Sequence, residues 1–165
     1  LVVLLSACAS QTTQPDVEDL NAGAASSGVG GSDLMGSGSD RPGYFKQLQD
    51  PNSILSQRSV YYDYDSYTVK SEYRELVLSH ARFLRDNDSA SVILQGNTDD
   101  RGSREYNLAL GQRRADGVRN TMALAGAGDG QSEAVSFGEE KPRALGSGES
   151  AWSQNRRTDI VYRGE

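Results

Sequence analysis

The sequence predicts an α/β (α+β) two-layer sandwich, in which helices pack on one face of a mixed β-sheet. Short segments rich in β-branched and aromatic residues alternate with longer segments whose apolar residues recur at helical spacing, in the order βαβαβ…β. A Gly-, Ser- and Ala-rich tract precedes all of them and shows no such periodicity. We therefore expect a single folded domain over residues 46–165.

Four segments have the composition of β-strands. The first, 59–65, is rich in tyrosine and valine and is bounded by polar residues. The second, 91–95, contains a continuous apolar run, which is typical of a central and buried strand. The third and fourth predicted strands are 134–138 and 158–162.

Two segments have the periodicity of helices. The first predicted helix covers 71–85, and acidic residues in its first turn favour a helix start there. The second covers 104–125, with Gly126 as its C-terminal cap. We expect the apolar stripe of the second helix to face the core; its members are Leu108, Ala115, Val118 and Met122.

The N-terminal residues indicate export and lipid attachment. Residues 1–7 are apolar or small and are followed directly by Cys8, an arrangement that resembles the lipobox of bacterial lipoproteins. In such proteins the peptide is cut before the cysteine, which then carries the lipid. Cys8 is the only cysteine, so it has no intramolecular disulfide partner. Because Ala9 and Ser10 follow it rather than aspartate, the resemblance implies a lipid anchor in the outer membrane, facing the periplasm.

We interpret 1–7 as a signal-peptide remnant and 8–45 as the lipidated N-terminus with a flexible linker. The Gly/Ser content of the linker region is typical of a flexible chain. Its composition fits a tether of selected length and a simple spacer equally well. The net charge of −6 argues against a nucleic-acid partner, which would favour a basic surface.

The densest polar segment follows the second predicted strand. Asn107, Gly111 and Arg114 are spaced i, i+4, i+7 and share one face of the second helix. Asp99 lies in the preceding loop, at the carboxyl end of the strand, where open α/β sheets often bind ligands. A carboxylate suits an ammonium group and a guanidinium suits a carboxylate, so the set matches a zwitterionic, amino-acid-like group. A structural ion pair between Asp99 and Arg114 explains the spacing equally well.

A glycine inside a predicted helix needs a reason, since it costs about 1 kcal/mol relative to alanine. We expect a ligand to approach the second helix at Gly111, so that Gly111→Leu would block binding while raising stability. If Gly111 is simply exposed, binding would not change. If it packs against another part of the domain, stability would fall.

Several motifs together resemble the OmpA-like peptidoglycan-binding domain, and the likeness covers roughly residues 46–163. The resemblance implies an α/β sandwich that binds the peptide stem of peptidoglycan through diaminopimelate. The lipobox and linker fit lipoprotein members of the family, which implies the propeller protein TolB and other Tol proteins as partners. The motifs are 60–65, 81–84, 96–102, 105–118, 137–142 and 155–157.

The resemblance also implies the site residues. Asp99 would take the ammonium group of diaminopimelate and Arg114 its carboxylate. The main departures from the family pattern are Asn97, where many relatives have histidine, and the Gly-rich turn 126–130, and we expect neither to touch this charge pair. The remaining implied site residues are Asn107 and Leu110 lining the pocket, and Tyr62 and Asp63 bordering it from the end of the first strand. Separately from the resemblance, the pair Arg156 and Arg157 at the head of the last predicted strand could contact an acidic ligand or partner. Such a pair is more often structural, and we expect a mixed structural and binding role for Arg157 only.

The sequence argues against an enzyme. Nucleophilic catalysis needs a base near a serine or cysteine, and the lone histidine, His80, lies on the apolar side of the first helix, where a buried core role is expected. A hydrolase using Asp63 and Asp99 would need a raised carboxyl pKa, which no pattern indicates. No cofactor or metal is expected. We predict a non-catalytic tether between outer membrane and cell wall; the alternative is a periplasmic protein-interaction scaffold with little direct cell-wall binding.

Overall fold

The computed structural model describes residues 43–165. The predicted signal remnant, the lipidation site Cys8 and most of the predicted linker lie outside these residues. No helix within the described part is long and apolar enough to cross a membrane.

The fold is a mixed four-stranded sheet with helices packed against it, which confirms the predicted fold class. The strands lie in the order β1-β4-β2-β3; β2 and β3 are parallel, and β4 is antiparallel to both of its neighbours, β1 and β2. Two short 3-10 turns, 54–56 and 71–73, complete the structure. The elements are α1 (Phe45–Gln49), β1 (Ser59–Tyr61), α2 (Arg74–Asp86), β2 (Val92–Asn97), α3 (Arg104–Leu124), β3 (Ser132–Gly138), α4 (Glu149–Asn155) and β4 (Arg157–Tyr162).

The core forms between the sheet and helices α2 and α3. The β2 residues Val92 and Leu94 point toward the helices and are fully buried, and Leu94 pairs with Ile160 on β4. On the helix side, Val77 and Val118 are fully buried in the same cluster. Because β2 and β3 are parallel, the connection between them must cross over the sheet, and α3 makes that crossover.

Two short elements were not predicted, and one of them moves the start of the domain. Helix α1 buries Phe45 and Leu48 against the core, so the folded unit includes Phe45, which we had assigned to the linker. Neither α1 nor α4 is long enough to show two full turns of apolar periodicity, which explains why the sequence pattern missed them.

Two expectations need correction and one is confirmed. Strand β1 ends at Tyr61 rather than at 65, because the chain turns away from β4 there and Asp65 adopts a positive φ of 55°. Leu108 is 51% exposed: it shares a helical face with Ala115, but it lies in an open groove beside the edge strand β3. Gly126, with φ 99°, follows the last residues of α3 as predicted.

His80 is a core histidine, as predicted. It is fully buried, and its two ring nitrogens lie 2.8 Å from the Tyr162 hydroxyl and 2.9 Å from the Gln57 carbonyl oxygen. Burial lowers the pKa of His80 to about 4, so the ring is neutral at neutral pH.

Candidate functional site

A cavity of about 280 Å³ lies where two loops meet the N-terminal half of α3. One loop follows β1 and the other follows β2. Of the predicted site residues, Asp99, Asn107, Leu110 and Arg114 line this cavity; Tyr64, Asp65, Thr98, Arg101, Gly102 and Tyr106 complete it.

The start of α3 fixes the geometry of this cavity. Gly102, with φ 109°, makes the turn that a side chain would disfavour, and Ser103 caps the helix by accepting a hydrogen bond from the Tyr106 amide. From there, Asn107 and Arg114 follow at i, i+7 on one helical face. Asn107 is almost fully buried, and its side-chain amide donates to the Glu139 carboxylate.

Arg114 forms the floor of the cavity and is fully buried. Its guanidinium donates to the carbonyl oxygens of Ser66 (2.8 Å), Asn97 (2.8 Å) and Asp63 (3.5 Å). These bonds tie the loop after β1 and the end of β2 to helix α3. A guanidinium has five N–H donors, so these three bonds leave donor capacity for a ligand.

The charge of Arg114 is not neutralised by a direct ion pair. Within residues 43–165, the hydrogen bonds of its guanidinium go to carbonyl oxygens and none goes to a carboxylate. Burial lowers the pKa of Arg114 to about 10, which still leaves it charged at neutral pH. A buried cation without a carboxylate is a ready receptor for one, because an incoming anion would compensate the cost of burying the charge.

Two carboxylate residues line the cavity, Asp65 and Asp99, and Asp99 is the buried one. Its carboxylate pairs with Arg101 at 2.6 Å and with Arg156 at 3.2 Å. Burial by itself raises the pKa of Asp99, but the hydrogen bonds from the two arginines outweigh it and hold the pKa below its usual value. The structural ion pair between Asp99 and Arg114 that we had considered is wrong, since Asp99 takes different partners.

Arg156, not Arg157, reaches the site. Arg156 pairs with Asp99 and with Glu149, whereas Arg157 bonds Asp159 at 2.8 Å and the Lys141 carbonyl oxygen at 3.2 Å, outside the cavity lining. Successive residues at the head of a strand point to opposite sides, so the sequence could not tell which arginine faces the cavity.

Tyr62 and Asp63 support the cavity rather than line it. The Tyr62 ring lies 4.8 Å beneath the Arg114 guanidinium, and its hydroxyl lies 3.0 Å from the Thr158 hydroxyl. Burial raises the pKa of Tyr62 to about 12. Asp63 contacts Arg114 only through its carbonyl oxygen, while its exposed carboxylate pairs with Lys70. The expectation that both side chains border the pocket directly is corrected.

The ligand approach expected at Gly111 is also wrong. Gly111 is buried against the sheet, where a Cβ atom would lie 2.3 Å from the Ser136 hydroxyl and 2.9 Å from the Gly96 carbonyl oxygen. The glycine therefore permits close packing of α3 on β2 and β3, which was the third of the alternatives we considered.

The cavity mouth contains residues that are not among the predicted site residues. The Arg101 guanidinium is stacked between the rings of Tyr64 and Trp152, with 4.0 Å from its central carbon to each ring centre. Tyr106 donates its hydroxyl proton to Asp65. Arg101 and Tyr106 lie inside the polar segment after β2. Their spacing gives no sign that Arg101 contacts Tyr64 and Trp152, which are distant in sequence.

The cavity thus combines a cation without a carboxylate partner on one side with an ionised carboxylate on the other. This arrangement suits a ligand group that carries an ammonium and a carboxylate close together. Within residues 43–165, no group of three or more His, Cys, Asp or Glu side chains is placed to hold a metal ion.

Comparison with known proteins shows which family the residues around this cavity match. Residues 61–156 match the OmpA family, and this stretch contains the whole cavity lining. The chain is 46% identical over 110 residues to the peptidoglycan-associated lipoprotein of Pasteurella multocida, covering 66% of this chain and 73% of the relative. It is 36% identical to that of Legionella pneumophila, covering 97% of this chain and 89% of the relative.

Solved structures agree with this fold. The peptidoglycan-associated lipoprotein from Burkholderia pseudomallei superposes with a TM-score of 0.70 at 55% identity, covering 71% of this chain and 99% of that one. The C-terminal domain of Helicobacter pylori MotB superposes with a TM-score of 0.59 at 18% identity, covering 64% and 83% of the two chains. The MotB likeness concerns the fold alone.

Proposed function

Because the chain belongs to the OmpA family and resembles its peptidoglycan-associated lipoproteins throughout the domain, we propose that it binds peptidoglycan non-covalently and tethers the outer membrane to the cell wall. The ligand is the free end of diaminopimelate in the stem peptide, where one carbon carries both an ammonium and a carboxylate.

One observation carries this proposal: Arg114 is fully buried, charged and without a carboxylate partner, in the same cavity as ionised Asp99. The carboxylate of diaminopimelate would bind Arg114, and the ammonium would bind Asp99. Asn107 and Leu110 would line the pocket along α3 between the two charges.

The same geometry favours binding over catalysis. A two-carboxylate hydrolase needs a general acid whose pKa is raised, but the pKa of Asp99 is lowered by its arginine partners. Asp63, the other carboxylate considered, points its side chain to solvent and pairs with Lys70. Asp99 is therefore set to remain ionised, and Asp63 does not line the cavity.

Co-sedimentation with purified sacculi tests the binding proposal. We expect the full chain to sediment with sacculi and to be released by free meso-diaminopimelate. 1,5-Diaminopentane is the matched control, because it carries ammonium groups on a chain of similar length but has no carboxylate, and it should release far less protein. Failure to sediment with sacculi would contradict the proposal and favour the protein-interaction scaffold.

Lipid attachment at Cys8 is the second part of the proposal. The lipobox resemblance and the absence of a spanning helix within residues 43–165 support an acyl anchor on the periplasmic face of the outer membrane. Stable anchoring by acyl chains needs more than one chain, which a triacylated cysteine provides. We expect Cys8→Ser to abolish palmitate labelling and to move the protein from the outer-membrane fraction to the soluble periplasmic fraction. Continued labelling of the variant would contradict this.

The third part of the proposal concerns partners. The lipoprotein likeness supports TolB and the other Tol proteins as partners, in a role that links the envelope layers during division. A purified TolB pull-down with the full chain, with and without added muropeptide, tests the interaction. No retention of TolB in either condition would contradict it.

A further inference from the structure

Asp99 has no free acceptor position in this structure. Its first oxygen accepts from the Arg101 backbone amide (3.2 Å) and from the Arg101 Nε (3.3 Å). Its second oxygen accepts from Arg101 Nη2 (2.6 Å) and from Arg156 Nη1 (3.2 Å). A carboxylate offers about four lone-pair positions, so all of them are occupied. A ligand ammonium can reach Asp99 only if one of these donors leaves.

Of the two arginines, Arg101 is free to leave and Arg156 is not. The Arg156 side chain is 6% exposed, donates to the Tyr62 carbonyl oxygen at 3.0 Å and also pairs with Glu149. The Arg101 side chain is 29% exposed, and apart from Asp99 its contacts are the ring stacking and one long contact with Glu149. Stacking on a ring face constrains the plane of a guanidinium more than its position within that plane.

A second carboxylate lies within reach of the displaced group. Glu149 Oε2 lies 4.0 Å from Arg101 Nη2, and its side chain is 65% exposed. A small slide of the guanidinium between the Tyr64 and Trp152 rings would therefore exchange Asp99 for Glu149 as its partner.

We propose that Arg101 is a latch that sets the affinity and selectivity of the cavity: it occupies Asp99 in the empty site and moves to Glu149 when a ligand ammonium replaces it. This inference rests on the proposed function. Since one cation replaces another at Asp99, the ammonium alone gains little. A ligand must also place a carboxylate on Arg114 to displace the latch, which selects for a zwitterionic group over a simple amine.

Removal of the latch should strengthen binding. Arg101→Met keeps a long side chain between the two rings but cannot pair with Asp99. Using isothermal titration calorimetry with the full chain and a disaccharide tetrapeptide that contains meso-diaminopimelate, we expect this variant to bind about tenfold more tightly than the wild type. Glu149→Gln should weaken binding about threefold, because the displaced guanidinium loses its receiving carboxylate.

Two controls separate a latch from a general effect on the fold. Arg82→Met removes an exposed arginine that pairs with Glu75 on α2, and it should leave the affinity unchanged. The same tetrapeptide acetylated on its free ammonium cannot compete for Asp99, so Arg101→Met should give no gain with it.

The outcomes distinguish this inference from the proposed function. If the wild type binds the tetrapeptide but Arg101→Met binds it equally or more weakly, the latch is wrong and the function stands. If the gain appears equally with the acetylated ligand, Arg101 acts by obstruction and the partner exchange is wrong. If the wild type does not bind the tetrapeptide at all, the proposed function fails and the latch with it.

Discussion

Arg114→Lys should weaken binding to sacculi about a hundredfold and lower the free energy of unfolding by about 2 kcal/mol. The binding loss follows because a lysine ammonium cannot offer a carboxylate the two parallel donors of a guanidinium. The stability loss follows because one ammonium cannot satisfy the carbonyl oxygens of both Ser66 and Asn97, which Arg114 reaches at 2.8 Å each. Sacculus co-sedimentation and urea unfolding measure the two effects.

Arg113→Lys is the matched control. Arg113 is the preceding residue on α3, but it is exposed, and its guanidinium lies only loosely over the Tyr67 ring at 5.8 Å. Both its binding and its stability should stay close to wild type. At Arg114, by contrast, the bonds to two separate chain segments mean that substitution should affect the fold as well as binding. Unchanged binding of Arg114→Lys, measured well below its melting temperature, would contradict the assignment of Arg114 as the carboxylate receptor.

Gly96→Ala should destabilise the domain by about 3 kcal/mol or more, the largest stability effect we expect from a single methyl group. A Cβ atom at Gly96 would lie 1.9 Å from the carbonyl oxygen of Gly111 and 2.6 Å from its carbonyl carbon. Both contacts are with backbone, so relief requires helix α3 to move away from β2. That movement would open the core and shift Arg114 and Asp99 relative to each other, so sacculus binding should fall as well.

Gly117→Ala, in helix α3, provides the comparison. A Cβ atom at Gly117 would have only the Tyr67 carbonyl oxygen nearby, at 3.7 Å, which is an ordinary contact. Helix propensity should then raise stability by about 0.5–1 kcal/mol. Urea unfolding should show that Gly96→Ala lowers the free energy of unfolding and that Gly117→Ala raises it. Equal effects at both positions would show that Gly96 and Gly111 do not set the approach of helix and sheet.

For Gly111→Leu, the structure reverses one of the two effects that we expected from the sequence. From the sequence we expected this substitution to block binding and to raise stability. Because the Gly111 Cβ would meet the Ser136 hydroxyl and the Gly96 carbonyl oxygen, we now expect both to fall. Helix periodicity places Gly111 on the face it shares with Arg114, but it cannot show what lies opposite that face.

Local pattern was sufficient to predict the order of strands and long helices along the chain, because apolar periodicity and turn residues are local properties of the chain. It also determined the family, since the spaced motifs around Asp99 and Arg114 lie in one continuous segment. Burial of His80 and the cap at Gly126 follow from the same local patterns, and both are found in the structure.

The pairing of the charged side chains in the cavity could not be predicted from the sequence. Asp99 pairs with Arg156 across 57 positions of sequence, and the stack at the cavity mouth brings Tyr64, from the loop after β1, and Trp152, from helix α4, onto Arg101. These contacts depend on how far the strands extend and on how closely α3 approaches the sheet, through Gly96 and Gly111. Long-range distances of this kind are set by packing of the whole core, and no local pattern of residues encodes them.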